Sequence, residues 1–383
     1  MHGYVQRKDE ERLLSALGRS PAVALLGPRQ AGKSTLARHL IDTDHAVYLD
    51  LQNRSDLAKL NEPELFFEEH RDQLVCLDEI QRVPELFNIL RSEIDQKRVP
   101  GRFLLLGSAS RDLIRSSNES LAGRIAYLDL TPFLLEEVEA VTDWKTLWRR
   151  GGFPDSLLAV DDEASIDWRV DFIRTFLEQD IPGFGFSIPA PVIDRLWRLL
   201  AHSNGQTANY SKLAGAADLS VSALKKYLAI LEQTYMVRLL RPWEKNLKKR
   251  LVKSPKIYLR DTGILHTLLD VDSYDQLLAH PINGPSWESF CIENIIAAMP
   301  RYRPAFIRSS NGAEVDLVME KGSDVQFLEF KLSKAPKPSR GFYEIIGAAS
   351  PSAATVIAPV DEPYKIRGGV TVANLLDFIR SRR

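Results

Sequence analysis

The chain has 383 residues, 44% hydrophobic and 26% charged, with a formal net charge of −1. That length exceeds one ordinary core and implies two or three domains. The near-neutral balance excludes a global field drawing the chain to nucleic acid, so any basic surface has to be local.

Up to residue 145, short apolar runs alternate with helical patterns, which predicts βαβ units around a parallel sheet. Strands are expected at Ala22–Leu26, Ala46–Leu49, Leu74–Leu77, Phe103–Leu106 and Ile125–Leu130, with helices from Lys33 and over Pro84–Asp95. From about Trp144 to Leu240 the pattern turns helical, with apolar spacing over Ile193–His202, Tyr210–Ala217 and Ser222–Gln233. From about Pro285 a helix (Trp287–Ala298) precedes strand-like runs at Ala305–Arg308, Glu314–Met319, Gln326–Phe330 and Ala354–Ala358. Runs such as Val23–Leu26 are too short to cross a membrane, and the first residues, MHGYVQRKDEERLL, lack the apolar core of a signal peptide. Cys76 and Cys291 have no metal-ligand or redox spacing, so a reducing cytoplasm and no membrane partner are expected.

Gly27–Ser34 reads GPRQAGKS, a strand–loop–helix phosphate loop followed by Thr35. Gly27 and Gly32 let the loop Pro28, Arg29, Gln30 and Ala31 turn its backbone N–H groups, which Pro28 itself lacks, towards phosphate oxygens, helped by the helix amino terminus. Lys33 would reach the β- and γ-phosphates of ATP, and Ser34 would place its hydroxyl on Mg²⁺. Leu74–Glu79 (LVCLDE) is an apolar strand ending in two acids. Asp78 is placed to support the Mg²⁺, and Glu79 to polarise the attacking water. The strand Phe103–Leu106 ends in GSAS, so Ser108 or Ser110 could sense the γ-phosphate; a plain polar turn is the alternative. Arg124, in LAGRIAYLDL, is a candidate arginine finger, within or between subunits of a homo-oligomer, or an ordinary surface arginine.

These motifs, with LDEIQRVPELF (Leu77–Phe87), GGFP (Gly151–Pro154), TFLEQDI (Thr175–Ile181), KSPKIYLRDTGIL (Lys253–Leu265) and GAEVDLV (Gly312–Val318), resemble a large prokaryotic family of AAA-type ATPases whose carboxy-terminal region has no defined function. The resemblance covers almost the whole chain and implies an ATPase related to the archaeal-type and signalling ATPases, without implying a substrate. The chain departs from typical AAA+ proteins in having Ser where the usual sensor Asn stands after the fourth strand.

Residues Ile193–Leu240 read as helix, turn, helix, turn, helix, followed by a strand-like stretch with a basic tip, in which Arg238, Arg241, Lys245, Lys248, Lys249, Arg250, Lys253, Lys256 and Arg260 stand against only Glu244 and Asp261; together these suggest a winged helix able to contact DNA or RNA. Winged helices in multidomain ATPases also serve as packing modules, so a protein partner stays open. Further on, Asp316 lies in an alternating strand, and Glu329 and Lys331 share one face of the next. Two carboxylates can hold Mg²⁺ and a lysine can steady a phosphorane-like charge, with Glu288 or Glu293 upstream as a further acid. The pattern looks like a PD-(D/E)XK nuclease core, with Val-Asp in place of Pro-Asp.

The fold class expected is therefore α/β in three parts: a P-loop ATPase domain with a parallel sheet at 1–145, a helical segment with a winged helix at 146–265, and a restriction-endonuclease-like α/β domain at 285–383. The function expected is a Mg²⁺-dependent ATP-driven switch or motor acting on nucleic acid or a protein partner. An ATP-regulated, metal-dependent nuclease and a non-catalytic scaffold controlled by nucleotide are the alternatives.

Overall fold

The computed structural model describes residues 3–41, 45–108, 121–244 and 251–382. These residues form two compact units, one of 1–133 with 233–236 and one of 134–232 with 237–383. The helical segment and the carboxy-terminal α/β region, separate parts by sequence, thus fall into a single unit.

The first unit is a five-stranded, fully parallel sheet. Its strands are β1 (Ala22–Leu26), β2 (Ala46–Asp50), β3 (Leu74–Asp78), β4 (Phe103–Gly107) and β5 (Ile125–Asp129), in the spatial order β2-β3-β4-β1-β5. Helices α1 (Glu10–Leu17), α2 (Lys33–Leu40) and α3 (Leu86–Gln96) belong to the same unit. The central strands read as unbroken apolar runs because both faces are covered. Side chains alternate between two cores: Ala22, Ala24 and Leu26 of β1 pack with Phe103 and Leu105 of β4 on one face, and Val23 and Leu25 pack with Leu104 and Leu106 on the other. Parallel order puts the chain segments leaving β1, β3 and β4 on one edge, the carboxyl edge where doubly wound sheets take their ligands.

In the second unit, α4 (Trp144–Arg150), α5 (Asp162–Thr175), α6 (Ala190–His202), α7 (Tyr210–Ala217) and α8 (Val221–Gln233) lead into the antiparallel pair β6 (Val237–Leu240) and β7 (Lys256–Leu259). A short helix, α9 (Thr262–Leu268), follows. Two motifs far apart in sequence meet here. Asp261 caps α9 by accepting from the Ile264 amide at 2.9 Å, and its other oxygen accepts from the Gly152 amide at 2.8 Å. A side chain at Gly151 would place its Cβ 2.2 Å from Asp261 Oδ1, and one at Gly263 would lie 2.2 Å from the Arg150 carbonyl. GGFP and RDTG are therefore two halves of one structural joint.

Helix α10 (Asn283–Ala298) precedes a six-stranded mixed sheet of β8 (Arg303–Arg308), β9 (Glu314–Lys321), β10 (Asp324–Phe330), β11 (Ala353–Ile357), β12 (Tyr364–Lys365) and β13 (Thr371–Ala373). β8, β9 and β10 are antiparallel neighbours, and α11 (Arg340–Ala349) carries the chain across to β11, which runs parallel to β10. A final helix, α12 (Leu375–Arg380), closes the fold.

Candidate nucleotide site and carboxylate cluster

The loop after β1 turns back on itself through two left-handed residues, Gln30 (φ 61°) and Gly32 (φ 92°). Gly27 is required by a close approach: a Cβ there would stand 2.1 Å from the Leu130 carbonyl oxygen. Helix α2 begins at Lys33 with no side chain capping it, which leaves its first amides for an anion. Lys33 Nζ reaches back to the carbonyls of Gly27 at 3.1 Å and Pro28 at 2.8 Å. Burial pulls the ammonium down to about 8, against the opposing pull of Glu79 and Asp78. Ser34 Oγ donates to Asp78 Oδ2 at 2.6 Å. A hydroxyl and a carboxylate so paired are the hard oxygen donors Mg²⁺ uses beside phosphate, so the residues fit Mg-ATP.

Glu79 sits one residue beyond Asp78 in a left-handed conformation (φ 58°, ψ 43°), an uncommon state for a side chain with a Cβ. Its Oε1 accepts from Ser108 Oγ at 2.7 Å, and Gln81 donates to its other oxygen. Ser108 thus engages the acid expected to orient water, and Ser110 lies outside the described residues, as do Lys245, Lys248, Lys249 and Arg250.

Sequence reasoning missed two residues. Tyr48, on β2, donates its hydroxyl to the same Asp78 oxygen, and burial with this bond pushes the phenol well above its usual range. Arg7, buried before α1, donates to the carbonyls of Ala31 at 2.8 Å and Thr131 at 2.6 Å, pinning the phosphate loop from behind. Tyr48 stood in the expected strand Ala46–Leu49, but nothing local marked its partner. Arg7 carried no signal.

Arg124 is a correction. Its neighbour Ile125 pairs with Ala22, the first residue of β1, so it stands at the opposite end of that strand from the phosphate loop. Five residues of strand separate them, roughly 17 Å. The guanidinium forms two hydrogen bonds with Asp95, at 2.6 and 2.8 Å. A finger acting on its own subunit's phosphate is incompatible with that placement.

Two of the nuclease-like residues, Glu288 and Asp316, meet an unexpected cation. Glu288 comes from α10, Asp316 from β9 and Glu329 from β10. Lys256, on β7, places its ammonium 2.9 Å from Glu288 Oε1, 2.5 Å from Glu314 Oε1 and 3.8 Å from Asp316 Oδ1. Burial opposes its charge, but Glu288, Tyr258, Asp316 and Glu314 together hold it well above the ordinary lysine value. Burial raises Glu288 to about 7, partly offset by Lys256. Asp316 Oδ2 accepts from the Phe330 amide at 3.0 Å. Both oxygens of Glu329 accept from the Ser339 amide, at 3.0 and 3.1 Å, and one takes Lys331 Nζ at 2.9 Å. Glu293, the alternative acid on α10, is held instead by Arg238 and Arg260. Among the described residues no group of three His, Cys, Asp or Glu is placed to hold a metal ion. Glu288, Asp316 and Glu329, read from the sequence with Lys331 as a possible nuclease site, thus have a lysine and backbone amides as their partners in this structure.

Three family models match the chain: an AAA domain over residues 19–139 and two domains of unknown function, DUF8612 over 141–275 and DUF4143 over 283–378. A Walker-type ATPase from Pyrococcus abyssi superposes with a TM-score of 0.51 at 16% identity, covering 70% of this chain and 96% of that one, a likeness of fold. No described helix is long and apolar enough to cross a membrane. The proteins Rv2008c of Mycobacterium tuberculosis and Mb2031c of Mycobacterium bovis, both called uncharacterized, are each 40% identical over 337 residues, 88% of this chain and 76% of theirs. On that similarity the chain belongs to the family of these mycobacterial proteins, and its first unit is an AAA-type P-loop ATPase fold.

Proposed function

We propose that the protein is a Mg²⁺-dependent ATPase that uses nucleotide hydrolysis as a switch or motor on another macromolecule. The observation that carries this reading is the convergence of Lys33, Ser34, Asp78 and Glu79 on one edge of the sheet, tied by the 2.6 Å Ser34–Asp78 bond. The loop amides and Lys33 would bind the β- and γ-phosphates, Ser34 and Asp78 would hold the metal and its waters, and Glu79, released from Ser108, would orient the attacking water. Magnesium would supply charge neutralisation across the β- and γ-phosphates. Arg124, facing away from its own phosphate loop, would serve only a neighbouring subunit in a homo-oligomer.

The three-part layout 1–145, 146–265 and 285–383 is retained as part of this proposal. The helices α6, α7 and α8, the pair β6–β7 and a bridge from Thr207 to Lys256 support a winged-helix reading of the middle part. Lys225 and Lys226 on α8 are exposed and available to phosphate, so DNA or RNA is the proposed partner, with a protein partner as the alternative. A cytoplasmic setting is part of the same proposal.

The test is ATP hydrolysis by the wild type, Lys33→Ala and Glu79→Gln, each with and without DNA or RNA. Glu79→Gln is expected to bind ATP and lose about 10²-fold or more in turnover, while Lys33→Ala loses nucleotide binding. Hydrolysis by Lys33→Ala at the wild-type rate would sink the ATPase reading. Stimulation by nucleic acid would assign the partner, and unchanged turnover would move it to a protein.

A further inference from the structure

Four carboxylates, Glu288, Glu314, Asp316 and Glu329, gather in the second unit with Lys256, Arg308 and Lys331. Their arrangement is unlike a cluster of solvated acids. Lys256 is 2% exposed and Glu329 3%, and buried carboxylates need a cation or hydrogen-bond donors to keep their charge. Each has one. Glu314 lies between Lys256 and Arg308, at 2.5 and 3.2 Å. Glu288 takes Lys256 and the Tyr258 hydroxyl. Asp316 takes the Phe330 amide and, at longer range, Lys256.

The Lys256 ammonium stands between acids from two elements, α10 and β9, which is where a divalent ion shared by Glu288 and Asp316 would have to sit. It arrives from a third element, β7, in a different part of the chain. An ion there would need at least two of these carboxylates facing it. Lys256 holds one charge against them, with its side chain 2% exposed and its ammonium over the rings of Tyr258 and Phe306, 5.8 and 5.7 Å from their centroids. Such an ammonium cannot swing to solvent without dragging a buried charge through apolar surroundings.

We propose that Lys256 is the resident cation of this cluster, filling the position a divalent ion would take, so that the native protein binds no divalent cation here and removal of the lysine opens a site for one. The cluster then works as an ionic clasp between the β6–β7 pair, α10 and strand β9. The carboxylates keep the geometry of a metal site, and the lysine supplies the charge. This claim concerns the second unit alone and survives failure of the ATPase reading.

Manganese is the probe, titrated calorimetrically into nucleotide-free full-length protein. Wild type and Asp316→Asn should bind the same number of Mn²⁺ ions. Lys256→Met, which keeps the buried stem, should melt lower than wild type, bind one further Mn²⁺ at least tenfold tighter than any wild-type site in this unit, and regain melting temperature when Mn²⁺ is added. Adding Asp316→Asn to Lys256→Met should abolish the extra ion. Two results would overturn the proposal: a Mn²⁺ bound by wild type and lost in Asp316→Asn, or a folded Lys256→Met that gains none. The first comparison needs no Lys256 variant, so it decides the matter even where that variant fails to fold.

Discussion

Nucleotide affinity should fall steeply above neutral pH because of one lysine. Lys33 is buried and held at about 8, against an ordinary value of 10.5. A triphosphate beside it favours the charged form, so ATP binding takes up a proton whenever Lys33 is neutral. At pH 7 about nine-tenths of the unliganded protein carries the ammonium, and at pH 9 about one-tenth, so the dissociation constant should rise about tenfold across that interval, or about 1.4 kcal/mol. Ionisation of the phosphate itself, near pH 6, is complete before the effect begins. The assay is calorimetric ATP titration at half-unit steps from pH 7 to 9.5, repeated in two buffers of different ionisation enthalpy. The expected record is a sloping affinity with net proton uptake above pH 8. A flat dissociation constant from pH 7 to 9, with no proton uptake, would refute the assignment of Lys33 as a desolvated phosphate ligand.

Acid should uncouple a second buried site. Burial disfavours the Glu293 charge, but Arg238 and Arg260 outweigh it and hold the carboxyl at about 2, below its usual 4.5. A depressed carboxyl stabilises the fold above pH 4.5 and loses that contribution as pH falls towards 2, on the order of 3 kcal/mol. Glu293→Gln should therefore lower the denaturant midpoint at pH 7 by much more than at pH 3; equal losses at both would show that the two arginines do not set the effect. Tyr48→Phe removes a hydroxyl that competes for Asp78 Oδ2. Its expected signature is half-maximal hydrolysis at several-fold lower Mg²⁺, and an unchanged or weaker Mg²⁺ dependence would contradict competition at that oxygen.

What could be read from the sequence follows from how local each signal is. The strand Ala22–Leu26 was legible because every residue is buried, alternately into two cores, which leaves an unbroken apolar run. The phosphate loop was legible because its glycines answer local constraints: the turn at Gly32 and the Leu130 carbonyl against Gly27. Asp316, Glu329 and Lys331 were legible as a pattern, but not what they touch. Nothing near Glu329 marks the Ser339 amide as its partner, and Lys256 read only as one cation in a basic stretch. Charge spacing along a chain records which residues share an element. It is silent on which distant cation folds against them.

The nucleotide site carries the same lesson into mechanism. Lys33 already holds two carbonyls of its own loop, Asp78 already accepts from Ser34 and Tyr48, and Glu79 already accepts from Ser108 and Gln81. On the proposed reading, ATP and magnesium exchange partners at each position, and the net affinity is the difference between two satisfied networks. Glu79 differs from the others because its backbone is also left-handed, which costs on the order of 1 kcal/mol or more for a residue with a Cβ. On the proposed reading, loss of the Ser108 bond at the end of β4 would free the Glu79 carboxylate to orient water.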